Sequence, residues 1–137
     1  MSDNKRVGIV SDTHDNRAAI RRAVDVFNSA GCSLVIHAGD FVAPFTVKEF
    51  ERLDAPLVGV YGNNDGERAG LAAQFSKIGE LFEGPHEFEH GGRRFAVMHE
   101  PLHLDGYLAR GDIDVIVYGH LHKIDIRDGH PMVINPG

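Results

Sequence analysis

Cys32 is the only cysteine, so no disulfide can form within the chain, and a reducing cytoplasm is the expected compartment. No apolar run approaches the ~20 residues that a membrane span needs. The opening MSDNKRVG lacks the apolar stretch of a signal peptide, so neither membrane nor export is expected. Basic residues are in deficit: 14 Lys and Arg against 20 Asp and Glu leave a net charge of −6. A protein that grips nucleic acid by its phosphates carries a basic stripe, so nucleic acid is not an expected partner. Internal repeats, low-complexity tracts and linkers are also missing. What remains is a chain of 137 residues, 42% hydrophobic and 25% charged, expected to form a single domain over 1–137.

Against these shortages stands an excess of histidine, nine residues in all. Several of them close short apolar runs. Val7–Ser11 reads as a strand buried on both faces and leads into Asp12-Thr13-His14. Leu34–Ala38 leads to Gly39-Asp40, Leu57–Tyr61 to Gly62-Asn63-Asn64-Asp65, and Asp114–Tyr118 to Gly119-His120-Leu121-His122. Phe95–Met98 ends at His99. In open α/β sheets the carboxyl ends of the strands are where ligands bind.

Between the runs, Ile20, Ala23, Val24 and Phe27 recur at helical spacing before Gly31. Phe45, Val47, Phe50 and Leu53 predict a short helix after Pro44, and Leu71, Ala72, Phe75 and Ile78 another. Further on, Gly91-Gly92 predicts a hairpin of His86–His90 with Arg93–Met98. Leu102–Arg110 predicts a helix, and Asp128-Gly129 a hairpin of Lys123–Arg127 with Pro131–Ile134. The order βαβαβα followed by hairpins predicts an α/β fold of two stacked mixed sheets flanked by helices.

Asp12 and His14, two apart on an extended segment, face the same way, and His120 and His122 repeat that geometry. With Asp40, Asn63 and His99 they supply four imidazoles, two carboxylates and an amide oxygen. One metal rarely needs so many ligands, whereas two metals sharing a bridging carboxylate would use them. Nitrogen and oxygen donors without thiolate suit Mn, Fe, Zn, Ni or Co. Singly, each motif has a plainer explanation: Asp40 could cap a helix, and Gly62–Gly66 has the composition of a turn. Their joint occurrence, each at a strand end, carries the metal reading. His37, inside a strand, is expected as a buried partner rather than a ligand, and His86, His90 and His130 as exposed residues.

The series D-x-H, G-D, G-N-x-D, H and G-H-x-H, from Asp12 to His122, resembles the calcineurin-like metallophosphoesterase superfamily. The compact length resembles its small prokaryotic phosphodiesterase branch, the YfcE type. The resemblance implies an α/β/β/α sandwich and two divalent metal ions, Mn2+ foremost. One ion would be held by Asp12, His14 and His122, the other by Asn63, His99 and His120, with Asp40 bridging. It also implies hydrolysis of small phosphodiesters by a hydroxide on the metal pair, and Asp40, Asn63, Asn64 and His99 as residues of the catalytic centre. Relatives of this length often form homo-oligomers, which makes one an expectation here.

Three departures from the family pattern stand out. Many members have histidine where this chain has Asn64, and an amide cannot protonate a leaving group; His103 is the candidate to replace it. Glu100 stands where relatives usually have glycine after the ligand histidine. The sequence stops at Asn135-Pro136-Gly137, where relatives continue through further strand, so carboxyl-terminal strands would be missing. These departures leave an alternative, a protein-binding scaffold similar to the small subunit of the retromer coat. The complete ligand set favours the enzyme.

Overall fold

The computed structural model describes residues 6–11, 17–39, 50–61, 79–101, 104–121, 123–129 and 131–136. In chain order the elements are β1 (Arg6–Val10), α1 (Arg17–Ala30), β2 (Cys32–His37), β3 (Leu57–Val60), β4 (Gly79–Phe82), β5 (His86–His90), β6 (Arg93–Val97), α2 (Leu104–Arg110), β7 (Val115–Val117), β8 (Asp125–Arg127) and β9 (Met132–Asn135). One sheet has the order β1-β2-β3-β4 and is parallel throughout its described strands. The other has the order β5-β6-β7-β9-β8, with β6, β7 and β9 parallel and an antiparallel strand at each edge.

The two sheets stack. Leu34, Ile36, Ala38 and Val60 of the first pack against Phe95, Val97, Val115 and Val117 of the second. Because strand side chains alternate, the opposite faces also carry apolar residues and need cover. On the outer face of the first sheet, Ile20 and Val24 of α1 pack with Val35, Phe50, Ala55 and Leu57. On the outer face of the second, Leu104 and Tyr107 of α2 pack with Ala96, Met98, Ile116 and Val133. The result is the expected helix–sheet–sheet–helix layering. α1 lies close over β1: a Cβ on Gly8 would come within 2.6 Å of the Phe27 ring, so that position admits only glycine unless the ring moves.

Both hairpins form as the turn residues predict. β4 was not expected: Gly79-Glu80-Leu81-Phe82 is short, starts on glycine and shows no clear alternation. It pairs so closely with β3 that a Cβ on Gly79 would lie 1.8 Å from the Leu57 carbonyl oxygen. The helix expected over Phe45–Leu53 lies mostly, and that over Leu71–Ile78 wholly, outside the described residues. His86 and His90 are half-buried rather than exposed. The His86 ring stacks on Phe82 with centroids 3.6 Å apart, and His90 Nε2 lies 2.9 Å from the Ser33 hydroxyl.

Candidate metal centre

β2 leaves its sheet through His37-Ala38-Gly39. His37 is wholly buried, its ring edge-on to Phe50. The Gly39 N–H donates to His37 Nδ1 at 3.0 Å, and the Ala38 N–H donates to the Val10 carbonyl at 2.9 Å. Gly39 has φ 105, a conformation that suits glycine, so the chain turns sharply just before Asp40.

β6 leaves through Met98-His99. His99 is 6% exposed, and its Nδ1 lies 2.8 Å from the Ala38 carbonyl oxygen. A carbonyl can only accept, so Nδ1 carries the proton and the lone pair of the neutral ring sits on Nε2. A histidine tied by one nitrogen to a backbone carbonyl presents the other to a metal in a fixed orientation. The same bond joins the carboxyl ends of the two sheets.

β7 continues through Tyr118-Gly119 into His120. The Gly119 N–H donates to the His99 carbonyl, and the Leu121 N–H to the Gly119 carbonyl, each at 2.9 Å. His120 has φ 72, the one positive φ outside glycine among the described residues. A bond from residue i to i+2 around such a φ makes the strained form of the γ-turn. Backbone strain of this kind costs about 1–3 kcal/mol and gathers at functional sites. The turn brings the His120 ring to 5.1 Å from that of His99, with the planes at 73°.

Two further side chains flank this turn, and one of them bonds to it. Tyr118 donates its hydroxyl to the Asp125 carboxylate, which Arg127 also holds. Burial first, and then Asp125, raise the Tyr118 phenol above its ordinary value, so it remains a donor. Asn135, wholly buried at the end of β9, donates from Nδ2 to the Gly119 carbonyl at 3.2 Å. Asn135 was not a candidate from sequence; the available signal was a polar residue closing an apolar strand. At the end of β1, the buried Ser11 hydroxyl has no hydrogen-bond partner among the described residues, directly ahead of Asp12.

Of the candidate residues, the structure brings together His99 and His120. Asp12, His14, Asp40, Asn63, Asn64 and His122 lie outside the described residues, as do His103 and His130. Accordingly, no group of three His, Cys, Asp or Glu side chains suited to a metal occurs among the described residues. Glu100 is half-buried immediately after His99.

The sequence model for a calcineurin-like phosphoesterase superfamily domain matches residues 6–137. The chain belongs to that superfamily. A phosphodiesterase from Methanocaldococcus jannaschii is 39% identical over 137 residues, covering 96% of this chain and 82% of that protein. A solved archaeal phosphodiesterase superimposes with a TM-score of 0.89 at 38% identity, over 96% of this chain and 82% of that one. The Escherichia coli phosphoesterase YfcE shares the fold with a TM-score of 0.62 at 22% identity, over 96% of this chain and 78% of its own. Vacuolar sorting proteins of the Vps29 type, such as those of Cryptosporidium parvum and Chaetomium thermophilum, match at 17% identity and share the fold alone. Membership of a metallophosphoesterase family implies divalent metal ions. The donors described here fit them: imidazole nitrogens, one with its tautomer fixed, while Cys32 starts β2 at the opposite end from Gly39.

Proposed function

We propose that this chain is a metal-dependent phosphodiesterase acting on small phosphodiesters, a single domain working with two divalent cations, Mn2+ foremost, in the cytoplasm. The observation that carries the reading is the convergence of His99 and His120 at the carboxyl ends of neighbouring parallel strands, on a chain 39% identical to a phosphodiesterase. Asp12, His14 and His122 would hold one cation and Asn63, His99 and His120 the other, with Asp40 between them. When bound, such a pair supplies a hydroxide at neutral pH and neutralises charge developing on the phosphoryl oxygens.

The chain's own residues supply the geometry. The Ala38 carbonyl holds the His99 Nδ1 side of the ring, so Nε2 is the nitrogen that would ligate. The γ-turn presents His120 beside it. Burial of His99 lowers the local dielectric and would strengthen attraction for an anionic phosphodiester once the cations are in place. Asn64 offers no proton for the leaving group, so diesters with good leaving groups are the preferred substrates and alkyl monoesters poor ones.

The test is hydrolysis of bis-p-nitrophenyl phosphate by chelator-treated protein, with and without Mn2+, beside Asp40→Asn. The expected result is turnover restored by Mn2+ in the parent and reduced at least ~100-fold in the variant. A folded parent that remains inert with every divalent metal would end the enzyme reading in favour of the scaffold. Light scattering tests the accompanying expectation of a homo-oligomer.

A further inference from the structure

A buried side-chain amide brings both donors and acceptors out of water, and each needs a partner if the amide is not to destabilise the fold. Asn135 is wholly buried, and its Nδ2 donates to Gly119, whose peptide lies between the two histidines. The Gly119 N–H goes to the His99 carbonyl, and the Gly119 C=O receives the Leu121 N–H. The Gly119 carbonyl therefore accepts two donors, Asn135 from the neighbouring strand and Leu121 from the far side of the turn. The hydroxyl of Tyr118, next to Gly119 in sequence, gives its proton to Asp125.

This arrangement answers a physical question that the ligand set leaves open. A histidine at φ 72 relaxes toward ordinary backbone unless its neighbours prevent it, and a strained turn held by one backbone bond at the end of a three-residue strand is weakly defended. Asn135 is fixed by the β9 ladder, which pairs with both β7 and β8. From there it holds the carbonyl about which the turn pivots. The geometry points to Asn135 as a positioning residue: through Gly119 it holds the γ-turn that aims His120 at a cation. The assignment rests on His120 being a ligand, as in the function proposed above, and goes beyond it by placing the aim of that ligand in a side chain that binds neither metal nor substrate.

Two readouts test it, one without metal. In metal-free wild-type protein, the Leu121 amide should resist hydrogen exchange to the level of Met98, its neighbour in the same bonded array. Free exchange at Leu121 would overturn the proposal without any variant. Asn135→Asp, which keeps the shape but replaces the donor with an acceptor, and Asn135→Leu, which removes both, should each speed exchange at Leu121 at least ~10-fold. Calorimetric titration with Mn2+ should then show one of two ions weakened ~10–100-fold, the range for loss of a residue supporting a ligand, and the other little changed. Tyr118→Phe, which spares the Gly119 bond, should retain both ions. A folded Asn135 variant with normal Leu121 exchange, or with both ions at parental affinity, would overturn the proposal. Failure of the ligand reading itself would show separately, as wild-type protein that binds fewer than two ions.

Discussion

At the carboxyl ends of β6 and β7, His99, Gly119 and Asn135 are joined by hydrogen bonds that all use a backbone group on at least one side, and the His120 ring stands beside that of His99. Between β5, β6 and α2 the same sheet carries a polar cluster of another kind. Glu87 there receives Arg110 at 2.8 and 3.2 Å, Arg94 at 3.1 Å and the Tyr107 hydroxyl at 3.2 Å, while Arg110 also grips Asp112. Every formal charge in that second cluster has an opposite within reach, and the surrounding water screens what is left. The histidine cluster carries no carboxylate among the described residues and contains a strained turn. A cluster that balances its own charges braces the fold. The other gathers two imidazoles and a strained turn at the carboxyl ends of parallel strands, which is the placement the proposed function uses.

The largest expected effect separates the two by activity. His99→Ala should abolish Mn2+-dependent hydrolysis of bis-p-nitrophenyl phosphate, by ~100-fold or more, whereas Glu87→Gln should leave the rate within about twofold. Comparable losses in both would break the comparison.

Metal removal should come next. Cations at about 100 times their dissociation constant add about 2.7 kcal/mol to stability. Chelation should therefore lower the melting temperature of the parent and of Glu87→Gln alike, and should change that of His99→Ala much less. Thermal denaturation with and without chelator checks this.

A smaller effect belongs to the charged cluster and has a definite pH signature. Hydrogen bonds from Arg110 foremost, then Arg94 and Tyr107, lower the Glu87 carboxyl from its ordinary 4.5 to about 2. A lowered carboxyl stabilises the fold fully above the unfolded value and loses that contribution as pH falls through the folded one. Glu87→Gln should thus cost about 1 kcal/mol at pH 7 after allowing for solvent screening, and the gap should close between pH 4.5 and 2. Urea titrations across that range measure it. Smallest of all, Arg52→Ala at the exposed Arg52–Asp25 pair should change stability by less than about 0.5 kcal/mol.

How far sequence reached depends on the range of the physics involved. The strands β1, β2, β3, β6 and β7 were legible because each is a short apolar run closed by polar residues, and both hairpins because their turns hold glycine. His99 and His120 were legible as a pair because each ends such a strand. Asn135 was not, since a buried amide gains meaning only from Gly119, 16 residues away in sequence. The same holds for His86 and His90, whose burial comes from Phe82 and Ser33. The turn at His120 has no local signature either: histidine gives no warning of positive φ, and the bonds that impose it come from three strands. Sequence therefore marked the strand ends that bring histidines together more readily than what holds those histidines in place.

His120 also sets two kinds of selection against each other. Glycine adopts a φ of 72 without strain, so with no cation bound the backbone favours glycine at that position, whereas the proposed function needs the imidazole. A library screened for heat resistance in the presence of chelator should drift toward His120→Gly and yield tougher, inert proteins, while one screened for turnover should hold the histidine and accept a lower metal-free melting point. Position 120 is thus where a durable fold and a useful one demand different residues.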